Sequence, residues 1–416
     1  MLITAASVLT ALASAQPVPP GYVLIEGGTV AQVGHGQPPL PADIELPDGY
    51  LAPGFVDLQV NGYYGTEFQI ADSSSWEAVT SRLPETGTTA IMPTMITAPV
   101  GELAEALRKA AAFVPDLTGG TRVLGVHVEG PFIAPSRRGA HNPAYITDPT
   151  AGAVAELVTA GSGVLRLITL APEQPGALAA IGQLTAAGVI VSVGHSDATA
   201  SQVALAADAG ARMVTHLFNA QRGLHHREPG VVGQALTDAR LTSGLIADLH
   251  HVVSAACQIA LAAAPSRIVL VTDAAACAGM PPGEYLLGGE PIVMPPGDGL
   301  PPLRADGTLA GSALRMDRAV ANAVSCGLSV PAAVAAASRI PADLIGRPDL
   351  GRIAPGAAAD LVWLDDDLRT QATWVAGDMV YSAPEARWGT LSSHPCTSRA
   401  ASRERQGAGR DHPDAD

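Results

Sequence analysis

Short apolar runs alternate with alanine-rich segments between about residues 53 and 352. The apolar runs have the length of buried strands, and the segments between them have the spacing of helices. Eight strands are predicted, at residues 55–60, 89–93, 123–128, 165–170, 189–193, 213–216, 242–247 and 268–272. Helices are predicted at, among others, 76–85, 102–114, 177–187, 201–209, 254–264, 316–325 and 331–345. Eight strand–helix units in one run predict a closed (β/α)8 barrel of the α/β class, whose strands are apolar throughout because helices cover them.

Strand-like segments occupy both ends of the chain. Short strands joined by turns are predicted before residue 53, and the pair Gly27-Gly28 is a hairpin signal. Strand character returns near the other end, at 359–364, 371–375 and 378–381. The sequence therefore predicts a small β-sandwich built from both chain ends, at 1–52 and 353–386, beside a barrel domain at 53–352.

The first and last segments each need a separate interpretation. Residues 1–15 resemble a signal peptide superficially, but they lack a basic start and their apolar run is interrupted by Thr and Ser, which favours a first strand. Residues 387–416 are rich in Ser, Arg, Gly and Asp, so a disordered tail is predicted there.

Composition narrows the classes of partner. The formal net charge of −15 makes nucleic acid an improbable main partner, although a local basic pocket for a phosphate is compatible with it. No apolar stretch is long and unbroken enough to span a membrane. The four cysteines are scattered and form no C-x-x-C motif, which favours a reducing, cytoplasmic setting.

Four polar residues stand at the ends of four predicted strands: Glu129, His195, His216 and Asp273. Active sites of barrel enzymes lie at the carboxyl ends of the strands, so these side chains should meet. A single His at a strand end is more often a hydrogen-bonded core residue, but three potential ligands and an Asp on regularly spaced strands reverse that preference. Two neutral imidazoles and a carboxylate are a usual catalytic zinc set, with Asp273 as the candidate proton carrier.

The first and third strands refine the metal prediction. Gln59 and Asn61 share one face of the first strand, and amides are poor zinc ligands, so one metal is expected instead of two. His127 and Glu129 also share a face; Glu129 is assigned to the metal, and His127 either supports a ligand from behind or lies in the barrel interior.

Two loops could reach a substrate. The loop at 137–143 is either a solvated basic turn or a segment that holds His141 over the site. The loop at 219–230 carries several cationic or hydrogen-bonding side chains, and arginine suits phosphate because its planar fork binds two oxygens at once. A surface role is equally compatible with Arg222, His225 and His226, whereas Arg227 is assigned a function.

The motifs together resemble the N-acetylglucosamine-6-phosphate deacetylases of the amidohydrolase superfamily. The matching stretches are PGFVDLQVNG, HVEGPF with RRGAHNP, VGHSDAT, THLFNA with REPG, ADLHHV, VTDA, GTLAGSALRMDRAV and GRIAPGAAADLVWLD. The resemblance runs from the first strands to about Tyr381. It departs from the usual pattern at Leu249-His250, where the family more often has Gly-Leu. This departure leaves open whether His250 or His251 contacts the ligand. His251 is assigned that role because it precedes Val252.

The resemblance implies a set of site residues and an assembly. The implied metal ligands are Glu129, His195 and His216, with Asp273 as the proton carrier. The implied contacts of the amino-sugar phosphate are Ala140, His141, Asn219, Ala220, Arg227, His251 and Leu309. A homodimer is implied, in which Arg227 reaches the site of the neighbouring subunit.

The reaction that the resemblance implies is the hydrolysis of N-acetyl-D-glucosamine 6-phosphate to D-glucosamine 6-phosphate and acetate, in amino-sugar catabolism. A metal-activated water would attack the acetamide, with Asp273 first as general base and then as general acid. One divalent metal per chain is expected, with Zn²⁺ the best match and Fe²⁺, Co²⁺ or Mn²⁺ compatible. The alternatives are an amidohydrolase acting on an N-acyl amino acid or a cyclic amide, and a non-catalytic sugar-phosphate-binding protein.

Overall fold

Eight parallel strands form the centre of the computed structural model, which describes residues 1–12, 20–297 and 299–391. Barrel strands 1 to 8 are Phe55–Val60, Thr88–Ile96, Val126–Glu129, Leu165–Leu170, Ile190–Val193, Met213–Val214, Thr242–Leu245 and Ile268–Leu270. Each pairs in parallel with the next along the chain. The ring closes where Ala274 bridges to Val60 and the Asp273 N–H donates to the Gln59 carbonyl at 2.9 Å. The predicted (β/α)8 barrel is confirmed.

Helices follow the barrel strands and cover them. They are Ser73–Arg82, Val100–Phe113, Ala151–Ala160, Ala177–Ala186, Ala200–Ala209, Gly230–Thr237, Ser254–Ala263 and Met316–Ser325. Shorter 3₁₀ segments lie at Leu83–Thr86, Val114–Asp116, Pro135–Arg137 and Pro143–Tyr145. A capping box begins the helix Ala200–Ala209, just beyond His195. The Thr199 side chain accepts from the Gln202 N–H, and the Gln202 side chain accepts from the Thr199 N–H.

The prediction of one helix over 331–345 is wrong. The structure has two helices there, Val330–Ala337 and Arg339–Leu344, which meet at Ser338. Pro341 explains the break, because its ring has no N–H to donate and would clash with the carbonyl four residues earlier in a continuous helix.

The barrel interior holds a chain of hydroxyl groups below the site. The Thr215 hydroxyl lies 2.6 Å from the hydroxyls of both Thr169 and Ser192, and Thr169 in turn lies 2.8 Å from His127 Nε2. Burial lowers the pKa of His127 to about 4, so this ring is neutral. His127 thus lies inside the barrel, as the sequence predicts, and the network fixes Thr215 immediately before His216.

Two further sheets pack face to face beside the barrel. One contains, in order, Thr390–Leu391, Ile44–Leu46, Leu2–Ala5, Gly21–Glu26 and Thr29–His35, and the other contains Asp378–Ser382, Thr370–Val375, Leu361–Leu364 and Tyr50–Pro53. Their shared core includes Val23, Leu361, Trp363 and Trp374. The prediction of a small β-sandwich made from both chain ends is confirmed, while the exact domain limits stay predictions.

The predicted tail differs from the structure over its first residues. Trp388 packs against Trp363, with ring centroids 5.0 Å apart, and Thr390–Leu391 pairs with Ile44–Leu46. An aromatic side chain with an apolar partner gains more from burial than a polar tail does, which explains the difference. The rest of the predicted tail, 392–416, and residues 13–15 of the predicted first strand lie outside the described residues.

An ion pair joins the two parts of the fold. Arg122, in the short strand Arg122–Val123 beside barrel strand 2, donates from Nε and Nη2 to the two carboxylate oxygens of Asp360 at 2.8 and 3.0 Å. Asp360 lies just before the sandwich strand Leu361–Leu364 and also accepts from the Ala376 N–H at 2.7 Å. The bidentate geometry fixes the orientation of barrel and sandwich at this contact.

Asp360→Ala is expected to lower the free energy of unfolding by about 3 kcal/mol, because removing one partner of a buried ion pair leaves the other charge uncompensated. This value is the lower end of the range for the loss of one partner of a buried ion pair, because the Arg122 side chain is 34% exposed and water stabilises part of its charge. Asp349→Ala is the matched control: its pair with Arg347 is exposed and should contribute less than about 1 kcal/mol. Urea denaturation of both variants measures the difference, and equal losses would contradict this account of the contact.

Candidate metal centre and substrate cavity

Strained backbone marks the carboxyl ends of the barrel strands. Among the described residues, ten residues other than glycine have a positive φ, and six of them lie just beyond barrel strands 5 to 8: His195, His216, Phe218, Ala220, Leu249 and Asp273. A side chain in this region costs about 1–3 kcal/mol and persists only where the surroundings enforce it. The fold therefore holds these side chains in an unfavourable backbone conformation at one place, which is typical of a functional site.

Three side chains from different strands converge there. Glu129 Oε1 lies 3.1 Å from His195 Nε2 and 2.9 Å from His216 Nε2, and the two Nε2 atoms lie 3.1 Å apart. All three residues are buried. Ligands of a tetrahedral zinc ion lie about 3.3 Å from one another, given bonds near 2.05 Å, so this triangle has close to the size that a metal requires.

The protonation of His195 supports a cation in this triangle. His195 Nδ1 lies 2.8 Å from the Arg137 carbonyl, which can only accept, so Nδ1 carries the ring proton of the neutral form. Nε2 then presents a lone pair to the Glu129 carboxylate, and two lone pairs repel unless a positive charge lies between them. Burial alone would raise the pKa of Glu129, whereas positive charge at the two imidazoles lowers it well below its ordinary value; with lone pairs on Nε2, a cation in the triangle would take over that role and keep Glu129 ionised. The donor set therefore fits a divalent metal.

A second combination of possible ligands overlaps the first. Ligand atoms of Glu129, His141 and His195 also lie within 4.8 Å of one another. The His216 set is tighter, because its three ligand atoms lie within 3.1 Å of one another. His141 Nδ1 lies 2.7 Å from the Thr97 hydroxyl, which leaves Nε2 as its free nitrogen. Burial lowers the pKa of His141 to about 3, so this ring is neutral. The geometry favours His216 as the third ligand.

Two amides hold the Asp273 carboxylate beside the triangle. Oδ1 accepts from Asn61 Nδ2 at 2.7 Å and from Gln59 Nε2 at 3.1 Å, and Gln59 Nε2 lies 3.2 Å from Glu129 Oε1. Burial, with repulsion from Glu129, raises the pKa of Asp273 to about 6. A cation bound at Glu129 would oppose both effects and would favour the ionised form of Asp273. Gln59 and Asn61 thus orient carboxylates.

A cavity of about 350 Å³ opens above these residues. The residues predicted from the sequence that line it are Glu129, Ala140, His141, His195, His216, Asn219, Ala220, His251, Asp273 and Leu309. His251 faces the cavity, whereas His250 is exposed outside it. The Asp248 carboxylate orients His251 by accepting from Nδ1 at 2.6 Å. Leu249 between them has φ +66°, a conformation that suits glycine and matches the departure from the family pattern at this position.

Arg227 is the one predicted site residue that this cavity does not contain. It is exposed, and among the described residues its guanidinium forms no hydrogen bond or ion pair. The neighbouring Arg222 is engaged instead, since it donates to Asp197, which also binds Arg137. Arg137, in the other loop at 137–143, lines the cavity.

Residues 50–384 match the amidohydrolase family. This chain belongs to that family. It is similar to an N-acetylgalactosamine-6-phosphate deacetylase of Escherichia coli O157:H7, with 38% identity over 344 residues, 82% of this chain and 90% of the relative. An N-acetylglucosamine-6-phosphate deacetylase of Bos taurus is 40% identical over 354 residues, 81% of this chain and 85% of the relative.

A solved structure supports the same relationship. It is a mutant of N-acetyl-D-glucosamine-6-phosphate deacetylase from Mycobacterium smegmatis in complex with N-acetyl-D-glucosamine-6-phosphate. Its TM-score against this amidohydrolase is 0.87 at 37% identity, and the match covers 92% of this chain and 99% of the other. Amidohydrolases act with divalent metals, in keeping with the Glu/His/His arrangement. Among the described residues of this amidohydrolase, none of the helices has both the length and the hydrophobicity to cross a membrane.

One wall of the cavity is not predicted from the sequence. Ile96 and Leu287 line it, and Leu287 lies on an antiparallel hairpin, Gly283–Leu287 with Glu290–Met294, inserted between barrel strand 8 and the next helix. The signal was present, because Gly288-Gly289 stands between two strand-like runs. The hairpin is held in place where the Glu67 carboxylate accepts from the Gly288 N–H. It gives this amidohydrolase an apolar surface opposite the polar groups of the site.

Proposed function

We propose that this amidohydrolase deacetylates N-acetyl-D-glucosamine 6-phosphate, releasing acetate and D-glucosamine 6-phosphate. One observation carries the proposal: a buried Glu/His/His triangle and an adjacent Asp273 carboxylate line the same cavity, with the sugar-binding candidates around them. The relatives of known name and the solved structure act on, or hold, an acetylated amino-sugar phosphate. The scattered cysteines make the cytoplasm the setting that we assign to the reaction.

Glu129, His195 and His216 would hold the metal, for which we assign Zn²⁺ as the best match to two imidazoles and a carboxylate. Such a cation supplies Lewis-acid polarisation of a carbonyl and lowers the pKa of water toward neutrality. The Arg137 carbonyl keeps the His195 proton on Nδ1, so that Nε2 can act as a ligand.

Asp273 would move the proton. Its Oδ1 is held by the two amides of Asn61 and Gln59, which leaves Oδ2 for the attacking water. The proton that Asp273 takes from water is returned to the departing amine, so that the C–N bond breaks and the neutral amine leaves. His141, whose ring centroid lies 4.3 Å from that of His195, would donate a hydrogen bond to the acetamide oxygen, where negative charge develops.

The phosphate would lie toward Asn219 and Ala220, and Arg227 from a second subunit would bind it. The support is the guanidinium of Arg227, which is exposed, has no hydrogen bond or ion pair within the described part of the chain, and lies outside the cavity of its own chain. An arginine supplied across a homodimer interface would pair with a dianionic group through two parallel hydrogen bonds. This arrangement makes dimerisation a condition for tight substrate binding.

Arg227→Ala is expected to raise KM roughly 10- to 100-fold with a much smaller change in kcat, because a charge-assisted hydrogen bond contributes about 1.5–3 kcal/mol. The measurement is acetate release over a range of substrate concentrations. Arg108→Ala, which removes an exposed helical arginine, is the control. An unchanged KM would remove Arg227 from the phosphate site.

Mixed dimers test whether Arg227 acts across the interface. In dimers of an Arg227→Ala chain with an Asp273→Asn chain, one site has both residues and the other has neither. Co-expression of the two variants should therefore restore about a quarter of the wild-type activity at low substrate, since half of the dimers are mixed and each has one intact site. No restoration would place Arg227 in the site of its own chain.

The named relatives leave two sugars as candidates. The relative from E. coli O157:H7 is a deacetylase of N-acetylgalactosamine 6-phosphate. That sugar differs from the proposed substrate only in the configuration of one ring carbon that carries a hydroxyl. Acetate release from both sugar phosphates and from an N-acyl amino acid separates the candidates. Faster turnover of the glucosamine derivative supports the proposal, and turnover of the N-acyl amino acid alone would favour the other amidohydrolase class. Metal binding without any turnover would favour a sugar-phosphate-binding protein.

A further inference from the structure

Thr97 binds one nitrogen of His141 from behind the cavity wall. Thr97 follows barrel strand 2 and is buried, and it does not line the cavity itself. Its hydroxyl lies 2.7 Å from His141 Nδ1, and its backbone N–H donates to the same nitrogen at 3.4 Å. These contacts join residues 44 positions apart in the chain, and they leave Nε2 as the nitrogen of His141 that is available to the cavity.

The backbone N–H decides which ring nitrogen carries the proton. An amide N–H can only donate, and a buried one requires an acceptor. The hydrogen bond of the Thr97 N–H goes to His141 Nδ1, so Nδ1 must present its lone pair. A neutral imidazole with a lone pair on Nδ1 has its proton on Nε2.

The Thr97 hydroxyl strengthens this preference. Its proton has two possible acceptors, His141 Nδ1 at 2.7 Å and the Glu129 carbonyl at 3.3 Å. The shorter distance favours donation to Nδ1, so the N–H and O–H of Thr97 both point to a ring nitrogen without a proton. The opposite tautomer would place the Nδ1 proton against the Thr97 N–H.

We infer that Thr97 is a positioning residue that fixes His141 in the tautomer with its proton on Nε2. His141 is then a hydrogen-bond donor to the substrate's acetamide oxygen and cannot be a metal ligand, because ligation by Nε2 would require a lone pair there. The first role rests on the proposed deacetylase function, whereas the tautomer and the exclusion of ligation do not. This selects the set Glu129, His195 and His216 over the overlapping set that includes His141.

The surroundings of both residues are closely fitted. Gly130 has φ +86°, and a Cβ at this position would lie 2.1 Å from the Thr97 hydroxyl, so only glycine leaves room for that group. On the other side, Arg304 donates to the Ala140 carbonyl and pairs with Glu290 of the hairpin, which fixes the loop that carries His141. Packing against Gly130 on one side and the contacts of Arg304 on the other therefore restrict the movement of Thr97 and His141.

Nuclear magnetic resonance of the zinc-loaded protein with ¹⁵N-labelled histidine rings tests the tautomer directly. The His141 signals are assigned as those missing from the spectrum of His141→Asn. We expect a protonated Nε2 and a bare Nδ1, with no zinc bound to this ring. A proton on Nδ1, or a zinc-bound Nε2, would overturn the inference whether or not the protein hydrolyses any sugar.

Kinetics test the role of the hydroxyl. Thr97→Val keeps the shape of the side chain, and we expect kcat to fall roughly 10- to 100-fold, as for outer partners of catalytic groups, with KM changed much less. Thr97→Ser, which keeps the hydroxyl, should recover most of kcat. Thr373→Val is the matched control, because it removes a buried hydroxyl of the sandwich strand Thr370–Val375, which donates to the Pro84 carbonyl. Equal kcat values for Thr97→Val and Thr373→Val would overturn the positioning role.

Failure of the proposed function gives a different pattern. A wild-type protein that releases acetate from none of the sugars would refute the deacetylase proposal, and the tautomer is then decided by the ring spectra alone. If Thr97→Val does not fold, the ring spectra of the wild type and the kcat of Thr97→Ser carry the decision. A Thr97→Ser variant with kcat as low as that of His141→Asn would count against the inference.

Discussion

Asp273→Asn is expected to lower kcat on the order of a hundredfold to ten-thousandfold while the metal content and the fold stay as in the wild type. The magnitude is that of a general base and acid removed from a positioned site. Asparagine keeps the size of the side chain, and its oxygen can still accept from Asn61 and Gln59, so the local geometry should survive. What it loses is the ability to take a proton from water and return it to the amine.

Three measurements on one preparation separate chemistry from structure: kcat for acetate release, metal per chain, and the thermal unfolding midpoint. Asp116→Asn, an exposed carboxylate at the end of a 3₁₀ segment, is the control for a lost negative charge. A near-normal kcat in Asp273→Asn would remove Asp273 from the role of proton carrier. Loss of metal together with kcat would instead assign it to the metal site.

His216→Asn should lose both metal and turnover. Asparagine tolerates the φ of +26° that His216 adopts, so the backbone can keep its conformation while one of three ligands is removed. Without the metal, the transition state loses several kcal/mol of charge stabilisation, which corresponds to a fall in kcat of roughly a thousandfold or more. Zinc should raise the thermal midpoint of the wild type, because it binds the folded state, and should raise that of His216→Asn much less.

His35→Asn is the control for this pair of measurements, since His35 is exposed at the end of a sandwich strand. It should bind metal and turn over substrate like the wild type. Full metal content in His216→Asn would contradict the assignment of His216 and would favour the overlapping set with His141. That outcome would also contradict the tautomer inferred for His141, so the two experiments check each other.

The fold and the centre of the site could be predicted because they depend on local patterns. Each buried strand of the barrel reads as a short apolar run, and a polar residue at its end falls at the rim where all eight strands end. Glu129, His195, His216 and Asp273 follow from this rule alone, without knowledge of any contact. The (β/α)8 barrel and the position of His127 in its interior follow from the same pattern.

The remaining features depend on contacts between distant segments. The contact between Thr97 and His141, and the support of the Ala140 carbonyl by Arg304, join residues that no local pattern relates. The break at Ser338 could have been predicted from Pro341, and the hairpin from Gly288-Gly289, but both signals were weaker than the helical and barrel patterns around them. Whether Arg227 acts across an interface is a property of two chains, which one sequence does not describe.

The most direct test of the central claim is acetate release from N-acetylglucosamine 6-phosphate beside unphosphorylated N-acetylglucosamine, with the metal content measured on the same sample. We expect a strong preference for the phosphorylated sugar and about one metal per chain, the number that a single His₂–carboxylate site holds. Failure to release acetate from either sugar, with the metal present, would contradict it and would leave an amidohydrolase barrel with a different amide as its substrate.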